Sequence, residues 1–175
     1  RKIANERGLH LIEDSAQAPL AFENERRAGT VGDIGVFSFN CHKHIHTGEG
    51  GMCVTDDDHL AHRLRLIRNH GENGSDEIGF NFRMTEIAAA IGLVQLARIE
   101  EHVGVREQLA RALTAAVEWR EEIDAPLVRY GCRHNYYLWA FKYRGDIARF
   151  SAALDAEGFP HTRGYVTPLY RVPAF

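Results

Sequence analysis

One lysine stands among three histidines in residues 39–51, FNCHKHIHTGEGG. Lys43 comes four residues after the predicted buried strand IGVFSF, residues 34–39. That location is the carboxyl edge of a sheet, where open α/β folds bind their ligands. A lysine held out of water at such an edge is a nucleophile that forms Schiff bases with carbonyl groups. A lysine in a solvated loop would do no chemistry, so Lys43 alone leaves both interpretations open.

The three histidines raise a second possibility, a metal site. His42, His44 and His46 would share one face if the stretch were extended, and imidazole binds transition metals well. However, a glycine turn follows, and no carboxylate stands at a matching spacing. We therefore expect no bound metal, and histidines that are polar surface residues or line a site.

A carboxylate earlier in the chain is a second candidate for the same site. Asp14 ends the apolar run LHLIED, and Gln17 follows three residues later on the same side. Asp14 could cap the following turn, or it could pair with a cation inside the fold. A lysine that forms an imine, together with an aspartate that pairs with a pyridinium nitrogen, is the combination that pyridoxal-phosphate (PLP) chemistry requires.

The elements that must position these residues follow an α/β pattern. Leu60, Leu64 and Ile67 form one apolar stripe in the predicted helix 56–71, and Thr85 is a predicted N-cap. Gly92 and Gly104 are predicted points of close packing or bending in the helix that Thr85 begins. The predicted segments up to residue 56 are helix 1–7, buried strands 9–14 and 34–39, and strand 51–56 after a glycine turn suited to a hairpin or bulge. A helix is predicted over 56–71, with acids in its first turn and Gly71 as its stop, followed by loop 72–82 and helix 85–119. A strand–turn–helix unit is predicted after Pro126, with Asp146 near the start of its helix.

Composition narrows the function classes. The net charge of −3 over 175 residues gives no electrostatic signal for nucleic acid or an anionic membrane. Three unpatterned cysteines favour a reducing cytoplasm over a disulfide framework, and no apolar run approaches the length of a membrane span. The chain opens in the middle of a helical pattern without an initiator Met, and we expect that the N-terminal part of a larger domain is missing.

Five motifs in order resemble one family, the DegT/DnrJ/StrS sugar aminotransferases. They are LIEDSAQA, GTVGDIGVFSF, Lys43 with TGEGGMCVTDD, LRLIRNHG, and GFNFRMTEIAAAIGLVQLARIE. The resemblance implies an α/β fold, a partial PLP-transferase (aspartate aminotransferase-like) large domain with a long linking helix and a smaller α+β C-terminal domain. We expect residues 1–122 to belong to the large domain and residues 123–175 to the small one.

The resemblance also implies roles for individual residues. Lys43 resembles the Schiff-base lysine, and Asp14 the carboxylate that pairs with the pyridinium nitrogen. Gln17 resembles the side chain that lies against the ring, and Ser38 the hydroxyl that binds the cofactor phosphate. Asn81 resembles an asparagine that reaches the phosphate of the neighbouring subunit's cofactor, which implies a homodimer with shared active sites.

The implied reaction is transamination of a keto sugar, usually nucleotide-linked, or of a keto-cyclitol, with glutamate or glutamine as donor. Departures from the family pattern at Pro19-Leu20, Cys41-His42 and His46 are expected to reshape the sugar pocket, His46 above all. Lysine at position 43 argues against the relatives that carry histidine there and catalyse dehydration. The alternatives are a PLP-dependent sugar dehydratase or lyase of the same fold, and a non-catalytic, truncated or regulatory protein.

Overall fold

The computed structural model describes residues 1–72, 76–164 and 167–174. These residues form five helices and eight short strands, followed by a 3₁₀ turn. Their bounds are α1 Lys2–Glu6, β1 Ile12–Asp14, β2 Phe22–Glu23, β3 Arg26–Arg27, β4 Ile34–Ser38, β5 Gly51–Val54, α2 Asp58–Arg68, α3 Glu86–Ala97, α4 Ile99–Val117, β6 Ile123–Asp124, β7 Cys132–Arg133, β8 Lys142–Tyr143, α5 Ile147–Ala156 and the 3₁₀ turn Leu169–Arg171.

A three-stranded sheet in the order β1-β4-β5 positions the residues of interest. β1 and β4 are parallel with Asp14 beside Val36, and β5 returns antiparallel with Gly51 beside Ser38. The three strands were predicted, but the predicted burial of the first strand was wrong. Ile12 is 63% exposed. Since strand side chains are buried only where another layer covers the sheet, the described residues leave this face of β1 open.

The predicted single helix 85–119 is two helices. Thr85 is the predicted N-cap, and its hydroxyl accepts a hydrogen bond from the Ala88 N–H at 3.2 Å. The break lies at Arg98, where φ is −107° and ψ is 3°, and not at Gly92 or Gly104. The change of direction turns Ile99 into the protein core as the first residue of α4, so tertiary packing overrides a continuous helical pattern.

Helix α2 agrees with its prediction at both ends. Asp57 caps it by accepting from the Leu60 N–H at 2.9 Å. Gly71 follows the end of the helix with φ of 71°, a conformation that glycine adopts without a steric penalty. The stripe formed by Leu60, Leu64 and Ile67 is half-buried.

The buried core lies under the lysine-bearing segment. Ile45, Ile99 and Val103 form it, with Leu20 and Phe39 packed against them. Because α4 supplies two of the three buried residues, this helix is the platform on which residue 45 and its neighbours rest.

The C-terminal residues form a second cluster and also return to the first part of the chain. Asp146 caps α5, as predicted from its position, and Phe150 stacks on Tyr143 with ring centroids 4.3 Å apart. β7 pairs antiparallel with β2. The domain boundary at residues 122–123 stays a prediction. None of the described helices has the length and hydrophobicity needed to cross a membrane.

Candidate active site

Two candidate residues lie at the carboxyl ends of adjacent strands. Asp14 ends β1 and is exposed, and Ser38 ends β4 and is half-buried. Asp14 Oδ1 accepts from the Ala16 N–H at 3.1 Å, while Oδ2 takes no hydrogen bond within the described residues. Ser38 Oγ accepts from the Asn40 N–H at 3.3 Å. One carboxylate oxygen and one hydroxyl proton are therefore available at the same sheet edge.

Glu13 fixes the strand end that carries Asp14. Its carboxylate accepts from the backbone N–H groups of Val31 and Gly32, both at 2.6 Å, and of Gly29 at 3.0 Å. Burial opposes ionisation, but these three donors together hold the pKa of Glu13 below its ordinary value. The 28–33 loop is thereby tied to β1.

The lysine turn, residues 39–50, is a closed loop and not an extended strand. Asn40 Oδ1 accepts from the His42 N–H at 3.1 Å, and the Asn40 carbonyl accepts from the Lys43 N–H at 2.9 Å. The Asn40 amide donates to Glu49 Oε1 at 2.8 Å, across the mouth of the loop. An Asx turn of this kind sets the backbone of Lys43.

Helix α3 touches the lysine turn at a glycine. A Cβ placed on Gly92 would lie 3.2 Å from Thr47 Cγ2. The predicted role of Gly92 in close packing is thus confirmed, whereas Gly104 has no neighbour within 4 Å of such a Cβ. The absence of a side chain at residue 92 lets α3 approach the turn.

His44 and Ile45 anchor the lysine turn in the interior. His44 is 6% exposed, and its Nε2 donates to the Asn135 carbonyl at 2.9 Å. Burial lowers the pKa of His44, which keeps the ring neutral at pH 7, and Nδ1 has no partner within the described residues. The residue after Lys43 is therefore fixed by a hydrogen bond to a segment far along the chain.

The three histidines do not converge. His42 and His46 are exposed, while His44 is buried against Asn135. The described residues contain no group of three His, Cys, Asp or Glu side chains placed to hold a metal ion. The alternation that suggested a shared face does not apply, because these residues form a turn.

The Lys43 side chain extends over an aromatic ring. Its Nζ lies 4.9 Å from the centroid of the Tyr137 ring, and Lys43 is half-buried. The same tyrosine ring is tilted against His44 with centroids 5.8 Å apart. Residues 43 and 44 thus both contact Tyr137.

Gln17 is held near this site by its backbone. The Asn135 amide donates to the carbonyls of Gln17 and Pro19, each at 2.9 Å, while the Gln17 side chain is exposed. Asn135 consequently connects the loop after Asp14 to the residue after Lys43. The structure brings the neighbourhoods of Asp14, Gln17, Ser38 and Lys43 together.

Asn81 lies in the segment between α2 and α3. It is exposed, forms an isolated β-bridge with Asn69, and accepts from Arg83 Nε at 3.5 Å. Within the described residues it has no hydrogen bond to the other four candidate residues.

Sequence reasoning missed the residues that support Lys43. An asparagine that opens a polar turn is a recognisable Asx signal, so Asn40 was open to prediction. Asn135 and Tyr137 are more than ninety positions from Lys43, and no local sequence pattern predicts contacts over such a separation.

Comparison with known proteins identifies the family. The whole chain, residues 1–175, matches the DegT/DnrJ/EryC1/StrS aminotransferase family. The chain belongs to this family. It is 37% identical over 191 residues to GDP-perosamine synthase of Caulobacter vibrioides, an alignment that covers 99% of this chain and 49% of that protein.

Solved structures agree with the fold. The chain superposes on S. venezuelae DesV in complex with a ketimine intermediate with a TM-score of 0.91 and 31% identity, covering 99% of this chain and 48% of that one. It also matches E. coli GDP-4-keto-6-deoxy-D-mannose-3-dehydratase with bound hydrated PLP, with a TM-score of 0.77 and 27% identity over 90% of this chain and 45% of that one. The predicted aminotransferase-like α/β fold is confirmed, and the chain spans about half the length of these relatives.

Proposed function

We propose that the protein containing this chain is a PLP-dependent aminotransferase that transfers an amino group from glutamate or glutamine to a keto sugar or keto-cyclitol. The sugar is nucleotide-linked, as the name of the Caulobacter relative indicates for that enzyme, and the product enters amino-sugar biosynthesis. The observation that carries the proposal is the fixed position of Lys43, held by its buried neighbour His44 beside the sheet edge that ends in Asp14 and Ser38.

The donor set at this edge suits PLP. Lys43 offers a primary amine for the aldehyde, and Asp14 offers a free carboxylate oxygen for a protonated ring nitrogen. Ser38 offers a hydroxyl proton for a phosphate oxygen, and Gln17 offers an exposed amide beside the ring. These groups lie on segments that the Asn135 hydrogen bonds tie together.

Lys43 and Asp14 have different tasks in the proposed reaction. Bound PLP supplies an electron sink for the carbanion formed at the amino-bearing carbon. Lys43 would hold the cofactor through its primary amine, and the same amine, when free, would take the proton from the donor's α-carbon and return it one position further on. The negative charge of Asp14 keeps the proton on the ring nitrogen.

We further propose a homodimer in which Asn81 reaches the cofactor phosphate of the partner subunit. Asn81 is exposed and, within the described residues, makes no hydrogen bond to the other four, as expected of a residue that acts across an interface. The adjacent helix α3 carries Ile87 in its first turn, 77% exposed, and continues with several exposed apolar residues. An apolar helix face needs another protein surface to cover it.

A sugar dehydratase of the same fold is the second candidate, since the chain also matches the E. coli dehydratase. The presence of Lys43 favours transamination, because a primary amine at this position would hold the cofactor and would move the proton that amino transfer requires.

Absorbance distinguishes the candidates. The complete protein with PLP is expected to absorb near ~420 nm and to lose this band when glutamate or glutamine is added. Lys43→Ala and Lys43→Arg should lack the band, whereas Lys142→Ala, which changes an exposed lysine, should keep it. Sugar deoxygenation without net amino transfer would establish the dehydratase instead. An absorbance band that survives Lys43→Ala would contradict both assignments.

We also propose a cytoplasmic location. Cys41, Cys53 and Cys132 all carry free thiols, which is typical of proteins in a reducing compartment.

A further inference from the structure

The segment that bears Tyr137 is held in a strained conformation. Tyr136 has φ of 49°, in the left-handed region that non-glycine residues rarely adopt. The Tyr136 N–H donates to His134 Nδ1 at 2.9 Å. Arg106 Nη1 donates to the carbonyls of Tyr136 and Tyr137 at 3.2 and 3.4 Å. Strain of this kind persists where surrounding contacts over-determine the backbone, and such places are frequent at functional sites.

Asn135 uses its polar groups to tie this segment to the candidate site. It is 4% exposed, its carbonyl accepts from His44, and its side-chain amide donates to Gln17 and Pro19. A buried polar network with its groups paired in this way is rigid. The position of residue 137 relative to residue 43 is therefore set by the hydrogen bond between their immediate neighbourhoods, His44 and Asn135.

The consequence is a fixed aromatic face beside the Lys43 amine. The Nζ-to-centroid distance of 4.9 Å lies within the range of a cation–π contact. Because the His44 ring is neutral, and packs on the same tyrosine, it supports this arrangement without adding a charge beside Nζ.

We propose that Tyr137 is a positioning residue for Lys43. Its ring face holds the lysine amine at the sheet edge whenever the amine is not covalently bound, and the His44–Asn135 hydrogen bond sets the distance. This inference rests on the proposed role of Lys43. In that role the amine must stay in place while it is free and then return to the same carbon. The C-terminal segment that bears Tyr137 keeps it in place.

The chain contains three lysines, Lys2, Lys43 and Lys142, and the two others are exposed. They serve as internal references for amine reactivity in the complete protein without cofactor. Limited acetylation with acetic anhydride, followed by peptide mass spectrometry, measures the labelling of Lys43 relative to Lys142. We expect Tyr137→Leu to raise this ratio by about three- to tenfold, because removal of the ring frees the amine. Tyr137→Phe keeps the ring and should leave the ratio within about twofold of the wild type.

Tyr130→Leu is the matched control, because Tyr130 is a fully exposed tyrosine nearby in sequence. It should not change the ratio. Circular dichroism checks that each variant is folded. If Tyr137→Leu does not fold, Tyr137→Phe still tests the proposal, because a severalfold rise of the ratio in Tyr137→Phe would contradict a role for the ring. An unchanged ratio in folded Tyr137→Leu would overturn the proposal, as would equal effects of Leu and Phe.

A second readout separates this inference from the proposed function. The rate at which the ~420 nm band appears after PLP is added should fall about three- to tenfold in Tyr137→Leu and remain near wild type in Tyr137→Phe. If PLP forms no Schiff base with Lys43 in the wild type, the proposed function fails. The acetylation ratio still reports whether Tyr137 holds the amine.

Discussion

The lysine turn and the segment around Asn81 differ in what covers them. In the lysine turn, His44 and Ile45 are buried, and a hydrogen bond reaches Asn135 near the other end of the chain. In the Asn81 segment, residues 76–85, Ile78 and Phe82 are 85% and 69% exposed. Its backbone is nevertheless ordered, since the Phe80 N–H donates to the Ile67 carbonyl at 2.7 Å.

This difference indicates which part of the site the chain completes by itself. Contacts within the chain suffice to position Lys43. Asn81 is held by an isolated β-bridge to Asn69, but its apolar neighbours are exposed, as in a surface made to meet another protein surface. The contrast is what a site shared between subunits requires.

The largest expected effect comes from mixing two inactive variants. Lys43→Ala and Asn81→Ala should each lose most activity, for different reasons. In a mixed dimer one site combines both changes and the other has neither, so a one-to-one mixture that exchanges subunits should recover about a quarter of wild-type activity. The measurement is the rate of amino transfer before and after exchange.

Mixing each variant with itself is the control and should recover nothing. If the heterologous mixture also stays inactive while mass spectrometry shows that the subunits have exchanged, Asn81 does not act across an interface.

The lysine turn and helix α3, which follows the Asn81 segment, should also differ in their contribution to stability. Ile45→Ala removes a side chain that is 3% exposed and should lower the free energy of unfolding by about 2–5 kcal/mol, independently of protein concentration. Ile87→Ala removes one that is 77% exposed and should act mainly through association, so its effect should shrink on dilution. Urea denaturation at two protein concentrations measures both. If both substitutions lowered the free energy of unfolding equally at both protein concentrations, Ile45 and Ile87 would not differ in the way proposed.

A smaller contrast involves one carboxylate in β1, at the sheet edge, and one in the Asn81 segment. Glu13 accepts three backbone N–H groups at the sheet edge, whereas Glu77 pairs with Arg63 at the surface, 3.0 Å away. At pH 7, Glu13→Gln should cost about 1–3 kcal/mol, and Glu77→Gln should cost at most about 1 kcal/mol. Unfolding in urea measures both, and equal costs would contradict the special role of Glu13.

The effect of Glu13 should depend on pH in one direction. Its pKa in the folded protein is below the ordinary value of 4.5, so its ionised form stabilises the fold above pH 4.5. This contribution is lost as the pH falls through the lower, folded-state pKa. The difference in stability between wild type and Glu13→Gln should therefore narrow on acidification. A difference that grows toward low pH would contradict the lowered pKa.

Much of the sheet and several helix ends could be predicted, because their signals are local. Apolar runs bounded by turn residues located β1, β4 and β5, and single capping residues located the starts of α3 and α5. The break at Arg98 had no such signal, since neither glycine nor proline stands there. It arises from the burial of Ile99 and Val103, which depends on the folded core.

The candidate site shows the same limit. Lys43 and Asp14 attract attention by residue type and by their place after strands, and family resemblance added Gln17, Ser38 and Asn81. The alternation of histidines suggested an extended face, but Asn40 bends the segment into a turn. The part played by Asn135 and Tyr137 depends on contacts between distant segments, which sequence periodicity does not contain.

The central claim is that Lys43 is the lysine that binds PLP. Borohydride reduction of the complete protein with PLP converts a Schiff base into a stable secondary amine, and peptide mass spectrometry then locates the modified lysine. We predict a pyridoxyl modification on Lys43, with Lys2 and Lys142 unmodified. Modification of another lysine with Lys43 intact, or no modification at saturating PLP, would contradict the account.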